Sequence, residues 1–128
     1  MPEAAPHLAD YVSVEFFVGA SRHSAFVADR PPLAWLSRAT GIVAPTSVDP
    51  ETEKRLIEAA LGAHRALGLG DGAFHIAMKP ISEGPEVIEV NGRLGGYVRR
   101  AVTYASGVDV GVTALKCSLG RVPVMDLP

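Results

Sequence analysis

The residues with the clearest chemical potential are Glu89, Asn91 and Arg93, which alternate within the segment IEVNGRLGG at positions 88–96. Alternate side chains of a β-strand point to the same side of the sheet, so these three share a face if the extended conformation persists. A carboxylate beside an amide oxygen is a hard-oxygen ligand set suited to Mg²⁺. An arginine beside them can hold phosphate oxygens through two parallel hydrogen bonds, and the glycine pair that ends the segment lets a ligand approach the backbone closely. The segment therefore predicts a corner that binds metal and phosphate.

The same segment has a second interpretation, which the pattern leaves open. Asn-Gly between two apolar runs is also the commonest signal for a two-residue hairpin turn. In the strand interpretation, Ile88 and Val90 alternate with the polar residues and point into the core.

The elements that position this segment follow from hydrophobic periodicity and from turn and cap signals. Asp49-Pro50-Glu51 is a strong helix start. Residues 1–10 are rich in Pro and Ala and show no hydrophobic periodicity, which indicates a lead-in or linker before one domain over 11–128. The order β-β-α-β-β-α-α predicts an α+β fold, a mostly antiparallel sheet with helices on one face. The predicted elements are strands over 11–18, 22–29, 73–81 and 86–91, a candidate edge strand over 40–44, and helices from Asp49 to Leu67, over 97–106 and from Asp109 to Leu119.

Composition excludes several classes of function. The chain has 128 residues, 48% of them hydrophobic and 20% charged, and a formal net charge of −2, which gives no support for general nucleic-acid binding. The apolar runs are too short for a transmembrane helix, and the single Cys117 excludes an internal disulfide and is expected in the core. These features fit a cytoplasmic protein. Glu15 and His64 are expected to face solvent.

IEVNGRLGG, together with the Gly-x-x-His-Ile strand and the Gly-Pro turn before it, resembles the C-terminal lobe of ATP-grasp ligases, from about Tyr11 to Gly120. The segments ALGAHRALGLGDGAFHI and ASGVDVGVTALKCSLG are similar to members of this superfamily from natural-product pathways. The resemblance implies an ADP-forming carboxylate–amine (or thiol) ligase that works through an acyl phosphate. It also implies ATP and Mg²⁺ as cofactors and small carboxylate and amine substrates. The net charge and the short apolar runs predict no nucleic-acid or membrane partner.

The resemblance also implies roles for individual residues. Glu89 matches a bridging Mg²⁺ ligand and Asn91 the ligand of a second metal ion on the same strand. Arg93 matches the catalytic arginine that stabilises the transferred phosphate. Gly95 and Gly96 would face phosphate or substrate, and Lys79 would add positive charge near the nucleotide.

Two departures from the ATP-grasp pattern bear on activity. The family places an acidic metal ligand on the preceding strand, in a pattern such as His-x-Glu, whereas His75-Ile76-Ala77 has alanine there. The resemblance further implies an N-terminal lobe that supplies a phosphate-binding lysine and an adenine-recognising hinge, so the chain would require that lobe, a partner chain or self-association. A different class of function therefore stands beside the ligase, namely a degenerate, non-catalytic lobe that acts as a binding or assembly module.

Overall fold

A computed structural model describes residues 11–30, 46–81, 83–95 and 98–121. The predicted lead-in over 1–10 and the candidate edge strand over 40–44 lie outside the described residues. Seven elements follow in the predicted order. They are β1 Tyr11–Gly19, β2 Arg22–Arg30, α1 Pro50–Ala66, β3 Gly72–Ile81, β4 Gly84–Asn91, α2 Val98–Ser106 and α3 Val110–Ser118.

The four strands form one antiparallel sheet in the order β2-β1-β3-β4. β1 and β2 are joined by the two-residue turn Ala20-Ser21, and Gly19 pairs with Arg22 across it. Both turn residues have positive φ, as the twist-matched hairpin turns require, although neither is a glycine. β1 is a central strand and β4 is an edge strand within the described sheet. The predicted α+β class with an antiparallel sheet is confirmed.

The helices, however, cover both faces of the sheet rather than the single face predicted. One core cluster joins α1 to the even-numbered side chains of β1, through Leu56 and Ala60 against Val14 and Phe16. The second cluster lies on the opposite face and includes Phe17 with residues of α2 and α3. β1 carries large apolar side chains on both sides, so both sides must be covered to exclude water. The alternation of apolar and polar residues over 12–16 breaks at Phe17, which places an apolar ring on the second face.

The start and inner face of α1 follow the sequence signals closely. The Asp49 side chain accepts a hydrogen bond from the backbone N–H of Thr52 at 3.1 Å, and Pro50 occupies the first helical position. Hydrogen bonds from the Thr52 side chain and backbone lower the pKa of Asp49. His64, expected to be exposed, is buried against Phe16 and bonds through Nε2 to the Gly70 carbonyl oxygen at 2.9 Å.

The last two helices also match their predicted signals. Gly107, with φ of +77°, follows α2, and the Asp109 side chain accepts hydrogen bonds from the backbone N–H groups of Gly111 and Val112 at the start of α3. Cys117 is fully buried in the core as expected, and burial raises the pKa of its thiol. None of the described helices is long and apolar enough to cross a membrane.

Candidate functional site

Glu89 and Asn91 lie together on the sheet face that carries α2 and α3. The Asn91 amide Nδ2 donates a hydrogen bond to Glu89 Oε1 at 3.2 Å. Glu89 is exposed and Asn91 is half-buried. Asn91 ends β4, and the next element is helix α2 rather than a returning strand, so the hairpin interpretation of Asn-Gly is wrong. The spacing of these two residues thus places a carboxylate and an amide oxygen side by side, as predicted.

The pairing between β3 and β4 sets what surrounds Glu89. Ala77 lies directly opposite Glu89, and His75 lies opposite Asn91. The next pair is Met78 with Val87, so the ladder contains a bulge that leaves one extra residue, Ile88, on β4. The expectation that Ile88 points into the core is wrong, because Ile88 lies beside the bulge on the edge strand and is 49% exposed. Val90 packs against the core as expected.

Arg93 lies beyond the end of the strand. β4 ends at Asn91, so the extended conformation that would carry Arg93 onto the same face does not reach it. Its side chain is exposed, and Nη1 donates a hydrogen bond to the carbonyl oxygen of Leu94 at 2.9 Å. Arg93 lines an open pocket of about 260 Å³ between the loop after β4, the start of β3 and α3, with Asp71 and Ser118 also on its wall.

The remaining candidate residues lie on either side of the Glu89–Ala77 pair. Lys79 is half-buried on β3, two residues beyond Ala77, and lies opposite Glu86. Gly95 lies at the other end, where its backbone N–H donates to Glu15 Oε1 at 3.4 Å. Gly96 lies outside the described residues.

Sequence reasoning missed a buried acid–imidazole pair beside this corner. Glu15 is fully buried instead of facing solvent, because β1 is a central strand covered on both faces. His75 Nδ1 lies 2.8 Å from Glu15 Oε2 and 3.0 Å from Oε1. The signal that could have found the pair is Phe17, which lies two residues beyond Glu15 and therefore on the same face of β1, since a carboxylate beside a buried ring has to find a polar partner inside the protein.

The donor set fits one magnesium ion shared with a bound phosphate better than a site made of protein ligands alone. Glu89 supplies one free carboxylate and Asn91 one amide oxygen, whereas Ala77 has no ligand atom to offer. Within the described residues, no group of three His, Cys, Asp or Glu side chains could hold a metal ion. Mg²⁺ commonly binds through one or two carboxylates together with substrate phosphates and water. Glu89 and Asn91 are therefore suited to hold it only when phosphate oxygens complete the shell.

Comparison with solved structures defines the fold class. The chain superimposes on an ATP-grasp superfamily protein from Archaeoglobus fulgidus with a TM-score of 0.71 and 24% identity, covering 91% of this chain and 36% of that chain. It superimposes on an L-amino acid ligase from Bacillus licheniformis with a TM-score of 0.75 and 20% identity, covering 86% and 29% respectively. The chain therefore has the fold of ATP-grasp proteins, and it matches about a third of the length of each of these two structures. The predicted ATP-grasp resemblance is confirmed.

The sequence comparison adds a relative. The chain is 34% identical over 104 residues to human carnosine synthase 1, a match that covers 80% of this chain. It spans 13% of the length of that relative. No protein-family model matches the chain.

Proposed function

We propose that this chain is the C-terminal lobe of an ADP-forming ligase that joins a carboxylate to an amine (or thiol). The observation that carries the proposal is the Glu89–Asn91 pair, a carboxylate and an amide in contact on the open part of a sheet with the ATP-grasp fold. The names of two similar proteins, carnosine synthase and L-amino acid ligase, support a reaction that forms an amide bond.

The proposed reaction has two steps. A substrate carboxylate oxygen attacks the γ-phosphorus of ATP, the bond from that phosphorus to the ADP oxygen breaks, and an acyl phosphate and ADP form. The amine or thiol then attacks the acyl carbon, inorganic phosphate leaves, and the nucleophile loses its proton. Phosphoryl transfer depends mainly on positioning and on neutralising the charge of the moving group.

This chain's own residues would share that work. Glu89 and Asn91 would hold Mg²⁺, which when bound neutralises charge on the phosphates. Arg93 would act as the catalytic cation toward the transferred phosphoryl group, and Lys79 would contribute positive charge near the nucleotide. The glycine pair, Gly95 and Gly96, would face the phosphates and let them approach the backbone closely. The rest of the cleft would come from an N-terminal lobe, a partner chain or a second copy.

Calorimetric titration with a non-hydrolysable ATP analogue and Mg²⁺ tests this assignment. The wild-type chain should bind saturably, and Glu89→Gln should weaken binding about tenfold, which is the scale of one lost charge-assisted interaction. Glu58→Gln, an exposed change on α1, serves as the matched control and should bind like wild type. Equal affinity in wild type and Glu89→Gln would contradict the role of Glu89.

Ala77 favours a second candidate function, a non-catalytic lobe that acts as a binding or assembly module. It lies opposite Glu89, where the ATP-grasp resemblance places a second carboxylate. In this case the wild-type chain should not bind the analogue at millimolar concentration. Light scattering should then find it associated with itself or with another ATP-grasp lobe, and a clean monomer would count against the module.

A further inference from the structure

The buried Glu15–His75 pair lies in line with the candidate site. Glu15 on β1 is the cross-strand partner of His75 on β3, and His75 is the cross-strand partner of Asn91 on β4. The three side chains therefore form one row across the sheet, on the same face as Glu89. The row ends at the residue from which the loop over 92–95 departs.

The carboxylate of Glu15 also contacts that loop directly. It accepts from Gly95 N–H at 3.4 Å and is bonded to His75 Nδ1 at 2.8 Å, so one buried group links β1, β3 and the loop after β4. Both partners of the pair are almost completely enclosed, with Glu15 at 0% and His75 at 7% exposure. A carboxylate removed from water depends strongly on each hydrogen bond that it keeps.

We propose that Glu15 and His75 are positioning residues that fix the loop over 92–95, and through it the backbone of Arg93 and Gly95. The importance of that loop for phosphate binding rests on the proposed function, whereas the hydrogen bonds that connect His75, Glu15 and Gly95 do not depend on it. His75 holds the Glu15 carboxylate in one orientation, and the carboxylate holds Gly95 N–H against the sheet. A ligand then meets a loop whose shape is already set, so less of the binding energy is used to order it.

Two substitutions at position 75 separate this role from general stability. His75→Leu removes the donor to Glu15, whereas His75→Asn retains an amide N–H close to the position of Nδ1. Asp29→Asn is the matched control, because the Asp29 carboxylate likewise holds a segment through Thr46 and Ser47, but far from the site. Each full-length variant is compared by amide hydrogen exchange, measured by NMR, and by analogue titration.

We expect His75→Leu to speed exchange at Gly95 about fivefold or more relative to Phe16 in the core, the scale of a weakened hydrogen bond. It should weaken analogue binding by a similar factor. His75→Asn should restore both quantities, and Asp29→Asn should change exchange near Thr46 while leaving Gly95 unaffected. If His75→Leu does not fold, Glu15→Gln replaces it, because it keeps the shape of the side chain and leaves one acceptor oxygen for the two donors, His75 Nδ1–H and Gly95 N–H.

The hydrogen-exchange measurement and the analogue titration test different claims, so each can fail without the other. Exchange at Gly95 that stays unchanged, or that rises only in step with Phe16, overturns the positioning role. Faster exchange at Gly95 that His75→Asn reverses supports that role even if the wild-type chain binds no analogue, and in that case only the proposed ligase function fails.

Discussion

Restoring a carboxylate at position 77 gives the sharpest test of the candidate metal site. Ala77 is 5% exposed and lies directly opposite Glu89, and Cβ atoms of such pairs are about 4.5–5.5 Å apart. In Ala77→Glu two carboxylates would face each other at roughly 5 Å, where Coulomb repulsion is about 3 kcal/mol at an effective dielectric constant of 20. Glu89 is exposed, so solvent screening reduces the expected cost to about 1–2 kcal/mol.

Ala77→Gln is the matched variant because it has nearly the same volume without the charge. The difference in unfolding free energy between the two variants isolates the repulsion from the cost of the larger side chain. For a domain of this size, the charged variant should melt about 4–8 °C below the neutral one in the presence of a chelator. Replacing Glu89 by Gln in the Ala77→Glu background should remove this difference.

Magnesium should reverse the order of the two variants. A site that binds only in the folded state adds about 2.7 kcal/mol when Mg²⁺ is at one hundred times its dissociation constant. That gain exceeds the repulsion, so Ala77→Glu should melt above Ala77→Gln when Mg²⁺ is added. The melts are compared at equal ionic strength set with KCl, because salt alone screens the two carboxylates. Equal responses of both variants to Mg²⁺ would refute the placement of a metal site between positions 77 and 89.

Three further predictions concern stability and reactivity. Gly19→Ala puts a Cβ 1.8 Å from the Arg121 carbonyl oxygen, so it should lower the free energy of unfolding, measured in urea, by about 2 kcal/mol or more. Gly62→Ala adds a Cβ in open space on α1 and should raise the same free energy by about 0.5–1 kcal/mol. Hydrogen bonds from the backbone N–H groups of Val112 and Gly111 lower the pKa of Asp109. The stability that its charge contributes is therefore lost as pH falls through the lowered pKa. Asp109→Asn should flatten the decline in melting temperature below about pH 4. Cys117 should react with a thiol reagent about a hundredfold more slowly in the folded chain than in urea, and equal rates would contradict its burial.

The sequence was sufficient for the order and nature of the elements because each had a local signal. Asp49 and Asp109 cap their helices as the sequence indicates, and the alternation that places Glu89 beside Asn91 is a property of any extended strand. The alternation holds only as far as the strand continues, and no signal in the sequence marks where β4 ends. Arg93 therefore lies in the loop rather than on the predicted face.

The errors have a different physical origin, because they concern what packs on each side of a strand. The alternation in β1 predicts that Glu15 faces solvent, whereas α3 and the loop after β4 cover that face of the strand. Counting alternate residues places Ile88 in the core, whereas a bulge interrupts the register of β4 there and Ile88 is exposed. Both errors concern contacts with elements that are distant in the sequence, and local hydrophobic periodicity contains no information about those contacts.

The contrast between the two sheet faces bears on whether position 77 belongs to a site. On the α1 face, β1 buries Val12, Val14 and Phe16, whereas on the other face it buries Ser13 and Glu15 beside Phe17. Ser13 is fully buried, and its hydroxyl has no hydrogen-bond partner among the described residues, which costs stability of order 1–3 kcal/mol.

Ser13 is also the cross-strand partner of Ala77, which in turn lies opposite Glu89. A buried hydroxyl and a carboxylate thus flank the alanine from both sides. In Ala77→Glu, the introduced carboxylate should therefore accept a hydrogen bond from the Ser13 hydroxyl and share a bound cation with Glu89.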